Sequence, residues 1–164
     1  MADYIRRLPV YLLLDCSGSM AGEPIEAVKQ GIKALVSELK SDPQALETAC
    51  LSVITFDSSA RQITPLTELM LFKEPQIAAG GATALGAALT VLSECIRAEV
   101  RTSTPTQKGD WKPLVFLLTD GAPTDNLDDG LDALKTVTAG NIIACAAGAN
   151  ANTNTLKKIT NNVL

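Results

Sequence analysis

Apolar residues fall along this chain in two rhythms that take turns. Short unbroken runs, Val10 to Leu14, Cys50 to Phe56, Leu114 to Thr119 and Ile142 to Ala147, have the length and character of strands buried on both faces. Between them lie stretches in which apolar residues recur at three- and four-residue steps. Ile25, Val28, Ile32, Leu35, Val36 and Leu39 form one such stripe, with Pro24 suited to the first helical turn and Asp42-Pro43 marking the end. Leu85, Leu89, Leu92 and Ile96 form a second, and Leu127, Leu131, Leu134 and Val137 a third. The spacing of Leu156, Ile159 and Val163 predicts a fourth helix over Thr153 to Leu164.

Two stretches break the alternation. Asp57-Ser58-Ser59 carries turn chemistry ahead of Ile63, which predicts a hairpin into a short third strand, antiparallel and at a sheet edge. Residues Thr102 to Pro113 mix Pro, Gly, Lys and Asp without periodicity and read as a surface loop. Trp111 within it reads as packing or as an interface anchor, while Tyr4 and Phe72 read as packing. The resulting fold class is α/β: a doubly wound, mostly parallel central sheet with one antiparallel edge strand and helices on both faces. Its length of 164 residues suits one domain spanning residues 1–164.

Composition narrows the chemistry. An apolar fraction of 46% with 20% charged residues is that of an ordered globular chain. The formal net charge is −4 and the basic residues are scattered, so no basic stripe exists to neutralise phosphates, which argues against nucleic acid as a partner. Histidine is absent, which removes the commonest general base and nitrogen ligand. Cys16, Cys50, Cys95 and Cys145 never form a C-x-x-C pair, so zinc ligation by thiolates is not expected, and free thiols in apolar segments suit a reducing cytoplasm. Arg6-Arg7 before an apolar run superficially resembles an export signal, but Pro9 interrupts it and Asp15 stands where small residues are needed. No stretch approaches the roughly 20 apolar residues of a membrane helix.

In sheets of this kind ligands bind beyond the carboxyl ends of the strands, so the residues just after each apolar run carry the chemistry. Three loops qualify: Asp15-Cys16-Ser17-Gly18-Ser19, Gly80-Gly81-Ala82-Thr83 and Thr119-Asp120-Gly121. If the first and fourth strands are neighbours, Asp15 and Asp120 meet at one rim and repel each other unless a cation intervenes. Oxygen donors from Asp, Ser and Thr suit Mg²⁺, or Mn²⁺, and Gly18 and Gly121 allow the tight turns. Three neutral hydroxyls with two carboxylates leave the cation poorly quenched, so an acidic side chain from another protein could complete its shell.

Asp15-x-Ser17-x-Ser19, Thr83 and Asp120 within LLTDG together resemble the metal-ion-dependent adhesion site of the von Willebrand factor A fold. The strings RRLPVYLLLDCSGSM, GEPIEAVKQGIKAL, DPQALETACLSVITF, GGATALGAAL and FLLTDGAPTD are similar to the TerY group of bacterial tellurite-resistance proteins, over nearly the whole chain. The resemblance implies that Ser17, Ser19 and Thr83 touch the metal through hydroxyls while Asp15 and Asp120 act largely through its waters. It also implies a non-enzymatic cytoplasmic scaffold in a stress-response system with a protein kinase and a PP2C-type phosphatase. The family normally adds a further short strand and closing helix, which the chain is expected to lack. Cys16 occupies a variable position of the metal loop.

Other readings compete. A Mg²⁺-dependent phosphohydrolase would also use strand-end aspartates, but Asp15 has no acidic partner two residues on and the three loops hold no Lys or Arg. A structural subunit with a vestigial metal site is the third. Asp125, Asp128 and Asp129 could hold a second cation or simply favour the first turn of a helix. Gly80-Gly81 lacks the Gly-Lys-Ser/Thr of a phosphate loop.

Overall fold

The computed structural model describes residues 6–120, 123–147 and 152–164. Two of the residues singled out above, Tyr4 and Gly121, lie outside the described residues. The elements are β1 (Leu8–Asp15), α1 (Glu23–Ser41), α2 (Pro43–Thr48), β2 (Ala49–Phe56), β3 (Ala60–Glu68), α3 (Leu85–Glu99), β4 (Leu114–Thr119), α4 (Leu127–Lys135), β5 (Ile142–Ala146), α5 (Thr153–Lys157) and β6 (Asn162–Val163). They build one six-stranded sheet in the order β3-β2-β1-β4-β5-β6. Every pairing is parallel except β2 with β3, so the antiparallel strand sits at the edge, as expected.

Strand β1 is central because its residues are apolar on both faces. Val10, Leu12 and Leu14 enter a core that includes Val28, Ile32 and Val36 of α1. Tyr11 and Leu13 enter the opposite core with Leu85, Leu89 and Leu92 of α3. The three- and four-residue spacing of those helical residues turns one stripe toward the sheet. Burying each of these side chains contributes about 1.5–3 kcal/mol, so the two cores fix the register of β1 against both neighbours. Leu14 lies opposite Thr55 on one side and Leu118 on the other, which carries Asp15 to the same rim as the end of β4.

Four expectations need correction. The helix expected over Thr153–Leu164 stops at Lys157, and Asn162–Val163 instead pairs in parallel with β5, where strand hydrogen bonds at an open sheet edge outcompete a weak three-residue stripe. The third strand is not short but nine residues long, Ala60–Glu68, its pairing with β2 interrupted by register shifts. Asp42-Pro43 does end α1, yet it also starts α2: Asp42 accepts from the Gln44 amide and Pro43 occupies the first turn.

The loop before β4 is not wholly on the surface. Asp110 is buried and accepts from Arg7 Nη2 at 2.7 Å, Arg7 Nε at 3.1 Å and the Arg101 amide at 2.8 Å, pinning the loop to the start of β1. Burial alone would raise the Asp110 pKa, but these hydrogen bonds and the Arg7 charge outweigh it and hold the carboxyl below its usual range. Trp111 beside it is 49% exposed, with the Arg6 guanidinium 3.7 Å from its ring centroid. Phe72 is buried. Among the described residues no helix is long and apolar enough to cross a membrane.

Candidate metal centre

The rim at the carboxyl ends of β1 and β4 gathers the predicted residues. Asp15, the last residue of β1, is fully buried, and a carboxylate in that position must find donors. It finds three. Oδ1 accepts from the Ser17 amide at 2.9 Å and from Ser17 Oγ at 2.5 Å, and Oδ2 accepts from Thr119 Oγ1 at 2.6 Å. The ion pairs among the described residues are Arg7 with Asp110 and Lys29 with Glu26, so no basic side chain compensates Asp15.

From Asp15 the polar contacts run outward without a gap. Ser17 Oγ lies 3.0 Å from Ser19 Oγ, and Ser19 Oγ donates to Asp120 Oδ2. A hydroxyl carries one proton. Ser17 Oγ is within donating reach of Asp15 and Ser19 Oγ of Asp120, and either serine can instead donate across the gap between them. With both protons turned to the carboxylates, the two serine oxygens present lone pairs to one point, where a cation is favoured.

The size of the gap matches the shells of two ions. Two neighbouring oxygens of an octahedron around Mg²⁺ stand about 2.8–3.0 Å apart for bonds of about 2.0–2.1 Å, and in-plane neighbours of a pentagonal bipyramid around Ca²⁺ about 2.7–3.1 Å apart for bonds of about 2.3–2.6 Å. The 3.0 Å between Ser17 and Ser19 oxygens suits either shell, so the choice of ion falls to the number and charge of the donors. The hydroxyl and carboxylate chemistry also fits a hard cation. Among the described residues there is no cluster of three or more His, Cys, Asp or Glu side chains able to hold a metal, so the serines are essential to any such site here.

Thr83 reaches the same rim by a different route. Its loop is stitched to the first by backbone bonds, Gly18 N–H to Gly81 O at 2.9 Å and Gly80 N–H to Cys16 O at 2.9 Å. Gly81 has φ of 83° and a Cβ there would stand 2.7 Å from Ser58 Oγ, so glycine is required at this crossing. Thr83 is buried, and its amide donates to Thr124 Oγ1 while its carbonyl accepts from the Thr124 amide. The hydrogen-bond chain thus joins Asp15, Ser17, Ser19 and Asp120, and Thr83 stands beside it, held by its backbone.

Several residues that shape the rim were not singled out from sequence. Thr119, named before only as part of its loop, orients Asp15, and a hydroxyl at the last inward position of a buried strand is the signal that could have assigned it this role. Ser58, from the turn after β2, accepts from the Ala82 amide, and Asp57 O accepts from Ala84 N–H. Asp125 does not serve the first turn of α4, as its acidic neighbourhood suggested; it accepts from the Gly86 and Ala87 amides of α3, while Asn126 caps α4. Cys16 packs in the α1 core, on the opposite face from Asp15. Burial, followed by the nearby charges of Asp15 and Asp57, pushes its thiol up to about 11, so it stands as an inert apolar group.

Comparison with known proteins bears on all of this. The family profile of the von Willebrand factor type A domain matches residues 10–163. The protein sll0103 of Synechocystis sp. is 32% identical over an alignment covering 82% of this chain and 30% of its own length, so the chain spans less than a third of that relative. Among solved structures, proximal thread matrix protein 1 from the mussel byssus, with a zinc-occupied MIDAS motif, superposes with a TM-score of 0.68 at 21% identity, covering 97% of this chain and 43% of the other. BatB from Bacteroides thetaiotaomicron gives 0.63 at 20% identity over 94% and 86% of the two chains. The ArnB paralog VWA2 from Sulfolobus acidocaldarius gives 0.67 at 18% identity over 96% and 40%.

Proposed function

This chain belongs to the von Willebrand factor type A domain family, and from that membership we propose that it is a protein-binding module whose contact with its partner runs through a divalent cation. Ser17, Ser19 and Thr83 would hold the ion by hydroxyl oxygens, and Asp15 and Asp120 would neutralise it from one shell further out. The observation that carries the reading is the pair of serine oxygens 3.0 Å apart, each within hydrogen-bonding reach of one of the two carboxylates. Such an ion, when bound, supplies an electrophilic position that takes a carboxylate oxygen. The zinc-occupied site of the mussel byssus protein supports a divalent ion at this place in the fold.

With three neutral first contacts, the ion keeps most of its positive charge, and an acidic residue of the partner is the ligand that charge attracts. The remaining features argue against turnover. No Lys or Arg belongs to the three rim loops to stabilise a transferred phosphoryl group, and the chain has no histidine to act as base. We place the module in the cytoplasm as a scaffold of a TerY-like tellurite-resistance and stress-response system, with a protein kinase or a PP2C-type phosphatase as partner and Mg²⁺ or Mn²⁺ as resident ion. That assignment rests on the sequence strings alone.

The test is capture of a protein kinase and a PP2C-type phosphatase of a TerY-type system by the wild type, Asp15→Ala and Thr83→Ala, each in Mg²⁺ and in EDTA. The expected result is capture by the wild type in Mg²⁺ only. Equal capture under all conditions removes the metal from the interface, and metal-dependent release of phosphate from a phosphoester, lost in Asp15→Asn, replaces the binding role by a hydrolase.

A further inference from the structure

Thr83 is the one proposed metal contact whose position does not follow from the Asp-x-Ser-x-Ser turn, and its surroundings show what holds it. Both polar groups of its backbone are taken by a single residue of another loop: the Thr83 amide donates to Thr124 Oγ1 at 3.0 Å, and the Thr124 amide donates to Thr83 O at 2.8 Å. One residue further on, Asp125 accepts from Gly86 N–H at 3.0 Å through Oδ1 and from Ala87 N–H at 2.9 Å through Oδ2. Helix α3 has no side-chain cap of its own, since Ala84 occupies that position, so Asp125 caps it from across the site.

The backbones meet as closely as their atoms permit. A Cβ on Gly86 would stand 2.3 Å from Asn126 O, and one on Gly130 of α4 would stand 2.4 Å from Gly86 O. The segment leaving β4 is therefore clamped on the start of α3 by four hydrogen bonds and a contact that tolerates only glycine. That same segment follows Asp120. We propose that Thr124 and Asp125 are positioning residues of the metal centre, holding the Thr83 hydroxyl in register with the serines by fixing the Thr83 backbone and the first turn of α3. The inference rests on the reading of the rim as a metal site and assigns to it two residues outside the ligand set.

Thr124→Val keeps the shape of the side chain, and the Thr124 amide can still reach Thr83 O, but the Thr83 amide loses its acceptor. Mn²⁺ affinity, measured by calorimetry on the full chain, is expected to fall about tenfold, the scale seen when groups supporting metal ligands are removed. Thr124→Ser, which keeps the hydroxyl, is expected to restore it, and Asp125→Asn, with one acceptor oxygen in place of two, to fall between. A merely structural role would lower the unfolding midpoint in EDTA and leave the Mn²⁺ affinity of the folded protein untouched, and that result overturns the inference. Failure of the wild type itself to bind Mn²⁺ overturns the metal reading and this inference with it. If Thr124→Val does not fold, amide exchange in the wild type decides: a slow Thr83 amide proton supports the clamp, and a freely exchanging one overturns it.

Discussion

Thr119 Oγ1 donates to Asp15 Oδ2 at 2.6 Å, tying the last residues of two adjacent parallel strands together beneath the rim. The contact aims the other oxygen of Asp15 at Ser17. Thr119→Val is expected to cost about 1–3 kcal/mol of stability, because a fully buried carboxylate oxygen loses a donor, and to weaken Mn²⁺ binding about tenfold. Urea unfolding in EDTA and calorimetry with Mn²⁺ measure the two effects separately. Unchanged values in both would remove Thr119 from the support of the site.

The small donor set predicts selectivity. Mg²⁺ or Mn²⁺ at a hundredfold excess over its dissociation constant should stabilise the folded chain by about 2.7 kcal/mol, read as a rise in thermal midpoint. Ca²⁺ at equal concentration should give a smaller rise, since three hydroxyls and two carboxylates supply few of the roughly six to eight oxygens its shell takes, whereas Mg²⁺ keeps several waters. Ser19→Ala and Asp15→Ala should abolish the response. A larger rise with Ca²⁺ than with Mg²⁺ would contradict the donor argument.

Acid sensitivity should trace in part to Asp110. Its folded pKa lies below the usual value because the Arg7 and Arg101 donors outweigh the opposing effect of burial. A depressed folded pKa means the contribution is fully present above the unfolded value of about 3.9 and is lost as pH falls through the folded one. Asp110→Asn is thus expected to lower stability by about 1–3 kcal/mol at pH 7. Its difference from the wild type should shrink below about pH 4. Chemical unfolding across pH 2 to pH 7, roughly the span set by that titration, checks both statements.

Gly86 and Gly130 mark where α3 and α4 touch through their backbones. Gly86→Ala and Gly130→Ala should each cost about 1–3 kcal/mol or more, because the displaced atoms are main-chain carbonyls that cannot swing aside. Gly22→Ala is the control: its φ of 85° is strained for alanine, but open space surrounds the added carbon. A smaller fall in thermal midpoint for Gly22→Ala than for the other two supports the packing argument, and the reverse order refutes it.

Much of the architecture was legible along the chain because burial imposes periods that differ between element types. The unbroken run Val10 to Leu14, short and bounded by Gly18, reads as a strand covered on both faces, and it delivers Asp15 to the rim. The stripe from Ile25 to Leu39 likewise reads as α1, with four of its residues fully buried. Where the chain failed to speak was at weak periodicity: three apolar residues after Thr153 suggested a helix that ends at Lys157, because an open edge of β5 offered backbone partners to Asn162 and Val163.

For the site, residue chemistry and position were enough to single out Asp15, Ser17, Ser19, Thr83 and Asp120, since a hard cation needs oxygen donors and a doubly wound sheet collects them at strand ends. Their mutual geometry was not. Adjacency of β1 and β4, the contact of Ser19 with Asp120 and the clamp of Thr124 on Thr83 join residues 41 to 104 positions apart, and no local period encodes contacts of that range. Sequence alone determined which oxygen-bearing side chains stand after the strands; only the packing of the two cores, which sets strand order and register, decided that Asp15, Ser17, Ser19 and Asp120 meet.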